Sequence, residues 1–384
     1  MSLLDEVRAE GEAIRRWWTT HLPDDRDGFH GEVNADSLPV PDADRSIILY
    51  TRLLWYFSAI GERDLADRAA RYIRRHFVQN GGVVWMVDAH GAVIDAKLQG
   101  YAQAFAVYAF AEYHALTGDA GALAVARDLQ TLIETRFWEP VHGGYIEALG
   151  GDQRLSDKDL DAPKTMNTHL HILEAYTRLH AVAPDAASER ALCRILTVFL
   201  DRFATGAHLR LFYDMDWRDR TQSVSFGHDI EASWLLREAA EVLGDADLIA
   251  RARPAAIALA QATLNEGFAA HGLAYERGFD GHFDGDGEWW GQAEGMVGFV
   301  NAWQVTGNAA FLDAAERLWA AIKTQYSDGD NEWTWYVKDV GRPMYKAGAW
   351  KCPYHNGRAM LELETRLKNP LLPFQGEKVA RRAG

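Results

Sequence analysis

The sequence predicts an all-α (α/α)6 barrel, six inner and six outer helices joined by short β-hairpin-like loops, as one domain over residues 1–384. Three observations predict it. A repeat of roughly sixty residues runs along the chain, the kind of period that signals stacked supersecondary units. Six short stretches with alternating polarity punctuate it, several of them after glycine. Two different helical patterns lie between those stretches.

The short stretches stand at 28–33, 81–85, 143–147, 209–213, 272–276 and 332–336. Their alternation suits small strands or hairpin arms. The first helical set places apolar residues at i, i+3, i+4 and i+7 over long spans. It covers 45–59, 101–116, 164–180, 227–243, 288–305 and 354–367, and these are the expected inner helices. The second set follows turn glycines at Gly61, Gly118, Gly244 and Gly307, with Asp64, Asp119, Asp185 and Asp245 near the helix starts. Carboxylates there oppose the free N–H groups of a first turn. Arginine and glutamate are frequent in this set, as an outer layer requires, and Leu3–His21 supplies the sixth outer member.

Each helix pair leaves an apolar face that only a neighbour can cover, and closing the ring removes the exposed ends. An open solenoid would need polar capping repeats, and the sequence has none; no Pro/Ser-rich linker divides it either. Inner helices of such a ring run parallel, so their N-termini share one face. Free N–H groups and helix dipoles make that face favourable for developing negative charge.

Composition narrows the function. The chain is 48% hydrophobic and 25% charged, ordinary for a globular protein. No apolar run is long enough to span a membrane, and residues 1–16 lack the apolar core of a secretory signal. Cys193 and Cys352 make neither a disulfide framework nor a zinc pattern, so a reduced, cytoplasmic setting is expected. A formal charge of −15 argues against nucleic acid, anionic membranes and phosphorylated substrates. A small-molecule partner is expected, on a monomer or weak homodimer. Of the fourteen tryptophans, most should fill core, and some can offer the flat faces on which sugar rings stack.

Polar and aromatic residues concentrate at four inner-helix starts: 164–171, 225–231, 288–294 and 350–358. Arg52 forms a fifth, sparser point inside an apolar helix, where a buried cation needs a partner or a functional reason. His228 and Glu231 stand at i, i+3 and can touch, and a carboxylate so placed fixes an imidazole's tautomer. Asn167 and His171 share a face at i, i+4, whereas His169 points elsewhere and reads as structural. The Trp289–Trp290 pair reads as half core and half pocket wall. Three histidines, His171, His228 and His355, at equivalent helix ends suggest a shared site. Histidines two apart diverge on a helix and no carboxylate cluster completes a ligand set, so no metal is expected. There is no phosphate-binding glycine loop and no serine nucleophile elbow.

At these residues the chain resembles the N-acylglucosamine 2-epimerase superfamily, and within it the cellobiose 2-epimerases. The resemblance spans about 28–367 and is densest in Lys164-Thr165-Met166-Asn167-Thr168-His169-Leu170-His171, Gly227-His228-Asp229-Ile230-Glu231 and Trp350-Lys351-Cys352-Pro353-Tyr354-His355-Asn356-Gly357-Arg358. It implies an (α/α)6 barrel and cofactor-independent inversion at C2 of a glucose or mannose unit. It implies His228 and His355 as the paired acid and base, with His171 and Arg52 at the reacting end of the sugar and Glu231 orienting His228. Asn167, Tyr101, Trp290, Trp350 and Asp159 are implied as substrate contacts. Glu294 is a further candidate contact, with a buried hydrogen-bonding role as its alternative. Two rival readings are an aldose–ketose isomerase making fructose from mannose and a glycoside hydrolase on the same scaffold, which needs two carboxyl groups flanking the scissile bond.

Overall fold

A computed structural model describes residues 2–79, 81–149, 161–327, 329–337 and 344–368. Twelve α-helices lie among them: α1 Leu3–His21, α2 Ile47–Ala59, α3 Arg63–Tyr72, α4 Gly100–Thr117, α5 Ala120–Leu132, α6 Met166–Val182, α7 Ala186–Val198, α8 Phe226–Leu243, α9 Ala246–Glu266, α10 Trp289–Thr306, α11 Ala309–Ala321 and α12 His355–Lys368. The even-numbered helices form the inner layer. Residues Ile47 to Ser58 of α2 and Gly100 to Ala111 of α4 are buried without a break, as expected of helices covered on every side. The main hydrophobic core runs from Val7 on α1 to Leu363 on α12. Among the described residues no helix is long and apolar enough to cross a membrane.

Six antiparallel pairings stand ahead of the six inner helices, five of them at the residue just before the helix. Ser46 pairs with Met86, Gln99 with Ala148, Thr165 with Phe212, Ser225 with Glu276, Glu288 with Tyr336, and Ala347 with Val33. Each joins the start of one inner helix to the loop that leads into the next. The last joins the sixth repeat to the first, so the loop face is a closed ring. This explains why the expected helices at 45–59 and 164–180 begin two residues late. Arg45–Ser46 and Lys164–Thr165 are strand, because their backbone groups bond across the ring rather than along a helix.

The outer helices start as expected and end differently. Asp119, Asp185 and Asp245 accept hydrogen bonds from the first turns of α5, α7 and α9, each worth about 1 kcal/mol. Four outer helices then widen into one π-helical turn, at Ile73–Phe77, Ile133–Phe137, Phe199–Phe203 and Ile322–Tyr326. Each such turn closes on a fully buried ring, Phe77, Phe137, Phe203 or Tyr326. An apolar residue four positions before an aromatic, recurring in four repeats, was the available signal.

His169 is structural. Its Nδ1 lies 2.6 Å from Thr165 O, and its Nε2 accepts the Tyr145 N–H at 2.9 Å. Burial pushes it down to about 3. Between pH 6.5 and 3 the unfolded chain therefore takes up a proton that the folded one refuses. The contribution is complete above pH 6.5 and shrinks as pH falls, by about 1.4 kcal/mol per unit. Denaturant unfolding measured from pH 7 to 5 should show this slope, and His169→Gln should lose that share of it. An identical slope in the variant would contradict the assignment.

Candidate active site

The starts of the inner helices bring one residue cluster together on the loop face. Arg52 comes from α2, Tyr101 from α4, Asn167 and His171 from α6, His228 from α8, Trp290 from α10 and His355 from α12. Trp350 stands in the loop ahead of α12. Three imidazoles are held in the same way, by Nδ1. His171 Nδ1 lies 3.0 Å from Glu174 Oε2, His228 Nδ1 2.7 Å from Ser225 Oγ, and His355 Nδ1 2.7 Å from Glu294 Oε1. Among the described residues no hydrogen bond falls on the Nε2 of any of the three. Burial holds all three below the ordinary histidine range, His228 at about 3. Neutral rings with an available Nε2 are the form that accepts protons.

His228 and His355 share the Trp290 ring as a neighbour, at centroid distances of 4.8 and 5.7 Å. Two contacts set that indole. Its Nε1–H donates to Glu288 Oε2 at 2.9 Å, and its ring rests on Gly227, where a Cβ would come within 2.5 Å of it. Any side chain at 227 would force that ring to shift. His171 packs edge-on against Tyr101 at 5.0 Å.

Arg52 is 2% exposed. Its Nη2 donates to Tyr101 Oη at 2.7 Å and its Nη1 points to Trp350 O at 3.4 Å. Phe105 and Tyr354 lie under it, 4.3 and 4.6 Å from ring centroid to guanidinium carbon. Burial works against its charge, but Tyr101, Cys352 and Tyr354 outweigh that and hold it protonated. No carboxylate pairs with it among the described residues. A buried cation in that condition suits an oxygen that gains negative charge.

A second layer lies beneath, centred on Arg358. Its guanidinium bonds Glu174, Glu231 at 2.8 Å and Glu294 at 2.7 Å, from three different helices. Tyr354 Oη also donates to Glu174. Burial alone would raise Glu174, but Arg358 and His171 hold it down to about 2. Burial and mutual repulsion raise Glu231, and burial raises Glu294.

This layer corrects three expectations. Glu231 does not hold His228, because Arg358 takes its carboxylate and Ser225 takes the imidazole. The same i, i+3 spacing does pair His171 with Glu174. Glu294, 1% exposed, is the partner of His355 Nδ1 and Arg358 rather than a residue turned toward a ligand. A carboxylate cluster does exist, since Glu231, Glu294 and His355 bring ligand-type atoms within 4.8 Å of one another. The negative charge those carboxylates would offer a cation is already engaged by Arg358. A hydrolase would place two carboxyl groups either side of the scissile bond, whereas these two share one guanidinium.

Residues 28–359 match the family model for N-acylglucosamine 2-epimerase. The chain belongs to the N-acylglucosamine 2-epimerase family. A cellobiose 2-epimerase from Bacteroides fragilis is 42% identical over 91% of this chain and 95% of its own. The solved cellobiose 2-epimerase from Bacillus thermoamylovorans superposes with a TM-score of 0.88 at 34% identity, covering 94% of this chain and 99% of its own. A D-mannose isomerase structure shares the fold, with a TM-score of 0.83 at 20% identity over 95% and 99% of the two chains.

In this family member the sequence-predicted residues Arg52, Tyr101, His171, His228, Trp290, Trp350 and His355 meet on one face. Asn167 joins them with its Oδ1 buried and without a hydrogen-bond partner among the described residues. Asp159 lies outside the described residues. Glu174, Ser225, Tyr354 and Arg358 were missed as site residues, although all but Glu174 lie inside the polar segments that mark the helix starts. The signal for Glu174 was its i, i+3 distance from His171; Arg358 sits at the same distance from His355.

Proposed function

We propose that this chain is a carbohydrate 2-epimerase, inverting C2 of the glucose or mannose unit at the reducing end of a β-1,4 disaccharide such as cellobiose, or of the free hexose. The observation that carries the reading is the set of three imidazoles, each held by Nδ1 and offering Nε2 beside the buried Arg52, which no carboxylate pairs with among the described residues. Family membership and the 42% identity to a cellobiose 2-epimerase support the reaction class.

The sugar first opens to its aldehyde, which makes the C2 proton acidic. One of His228 and His355 removes that proton through Nε2, leaving a cis-enediolate. The other returns a proton to C2 from the opposite face, and the configuration is inverted. Arg52, His171 and the inner-helix N-termini stabilise the oxyanion while it exists. Electrons move only within the substrate, so the reaction consumes no nicotinamide. Trp290 and Trp350 supply flat apolar faces for the sugar, and Asn167 Oδ1 accepts a hydrogen bond from a sugar hydroxyl. If the proton returned to C1 instead, the product would be a ketose.

Incubation with cellobiose and, separately, with mannose, followed by NMR of the products, tests this. Expected are the C2 epimer of the disaccharide or glucose from mannose, with no bond cleavage. A ketose as the main early product from mannose would turn the assignment to an isomerase, and monosaccharide release from cellobiose would turn it to a hydrolase.

A further inference from the structure

Ser225 is the N-cap residue of α8, yet its side chain makes no capping bond. Its counterparts in two sister repeats behave ordinarily. Ser46 accepts from Leu49 N on α2, and Thr165 accepts from Thr168 N on α6, the third helical residue in each case. In α8 the third helical residue is His228, and the Ser225 hydroxyl lies against its ring nitrogen rather than its backbone, 2.7 Å from Nδ1. A hydroxyl in the right place to cap a helix has been diverted to a side chain. Ser225 is also fixed by its backbone pairing with Glu276, in the loop that leads to the next inner helix, and it is 7% exposed.

We propose that Ser225 is the positioning residue of His228: its hydroxyl accepts the Nδ1–H, so that Nε2 is the nitrogen that faces the cavity and moves the proton. This rests on the epimerase reading given above. Whichever nitrogen an imidazole has bonded decides which one carries its remaining proton. With Nδ1–H given to Ser225 Oγ, Nε2 is bare when the ring is neutral and protonated when it is charged. The ring then cycles between base and acid at one atom, without turning over and without changing tautomer. Glu294 does the same for His355 and Glu174 for His171, but with carboxylates. His228 alone is held by an uncharged group, which orients the ring without adding a counter-ion to it.

The experiment uses the full chain labelled with ¹⁵N in its histidines. Long-range ¹H–¹⁵N spectra report ring tautomers, and His228→Asn identifies the His228 signals. In the wild type His228 should carry its proton on Nδ1. In Ser225→Ala the population should shift toward the Nε2–H form that an unheld imidazole prefers. Turnover should fall about 10- to 100-fold, in kcat far more than in KM, because a wrong tautomer disables the proton transfer and not the binding. The melting temperature should stay within about 2 °C, since no cap is lost. Ser225→Thr, which keeps a hydroxyl as Thr165 does in the sister repeat, should restore both tautomer and kcat. Unchanged ring signals and unchanged kcat in Ser225→Ala overturn the inference. So does a loss of kcat that comes with a large fall in melting temperature and an unaltered tautomer. Undiminished turnover in His228→Ala would instead bring down the epimerase assignment of His228, whatever the tautomer.

Discussion

Replacing His228 or His355 by alanine is expected to lower the rate of epimerisation at least about 10³-fold, toward the upper end of what one acid–base group contributes. Inversion at a single carbon needs a proton taken from one face and another delivered to the opposite face. In the proposed mechanism the two rings, which share Trp290 as a neighbour, serve opposite faces of that carbon, so neither does the other's work. The expected signature is finer than loss of turnover. In heavy water each variant should still exchange the C2 proton of one epimer with solvent, because the surviving histidine still reaches one face. His228→Ala should exchange one epimer and His355→Ala the other, with neither converting it. Both variants should fold, since each ring has an available Nε2 and only one hydrogen bond through Nδ1. Near-normal epimerisation in either variant, measured by NMR of the sugar, would refute the pairing.

Arg358→Met is expected to cost about 3–5 kcal/mol of stability and most of the activity. The guanidinium is 2% exposed and touches carboxylates that are 4%, 1% and 1% exposed. Removing it strands three buried acids with no common cation, and breaking a buried pair from one side costs about that much. Activity falls as well, because Glu174 and Glu294 are the groups that hold His171 and His355. The sign of the pH effect follows from Glu174. Held at about 2, it adds stability that is present above its unfolded value of about 4.5 and lost as pH falls toward 2. The methionine variant lacks that contribution, so its deficit relative to the wild type should narrow below about pH 4.5. Adding Glu231→Gln should recover part of the deficit at neutral pH by removing one of the acids left without its cation, the one that burial and Glu294 already push up. Arg358→Lys should recover little, since one ammonium cannot reach three carboxylates as a planar fork does. Denaturant unfolding measures all of this, and a loss under 1 kcal/mol in Arg358→Met would mean that the hub is not needed.

Much of this protein is readable from its sequence alone, and the reason is repetition. Six copies of one helix–loop–helix unit give the apolar period, the turn glycines and the capping aspartates six chances to be seen. A reader who misjudges one boundary still counts six. The ring, its inner layer and the face that gathers the helix starts all follow from patterns local to a few turns. So do His171, His228 and His355, because each lies in the polar segment at the start of its inner helix.

What only the tertiary structure decided is which partner each of these residues takes. His171–Glu174 and His228–Glu231 have the same spacing on the same kind of helix, and one pair forms while the other does not. Arg358, on a helix more than a hundred residues further along, bonds both glutamates; the difference lies at the ring, where Glu174 still reaches His171 Nδ1 through its other oxygen while Ser225, just ahead of its helix, takes His228 Nδ1. Ser46, Thr165 and Ser225 stand equally ready to cap, and only the last turns to a ring. Buried polar groups are costly to leave unpaired in the low-dielectric interior, so the geometry across packed elements decides which of several neighbours each one bonds. That competition is settled among helices brought together by the closed ring, and no spacing along one helix contains it.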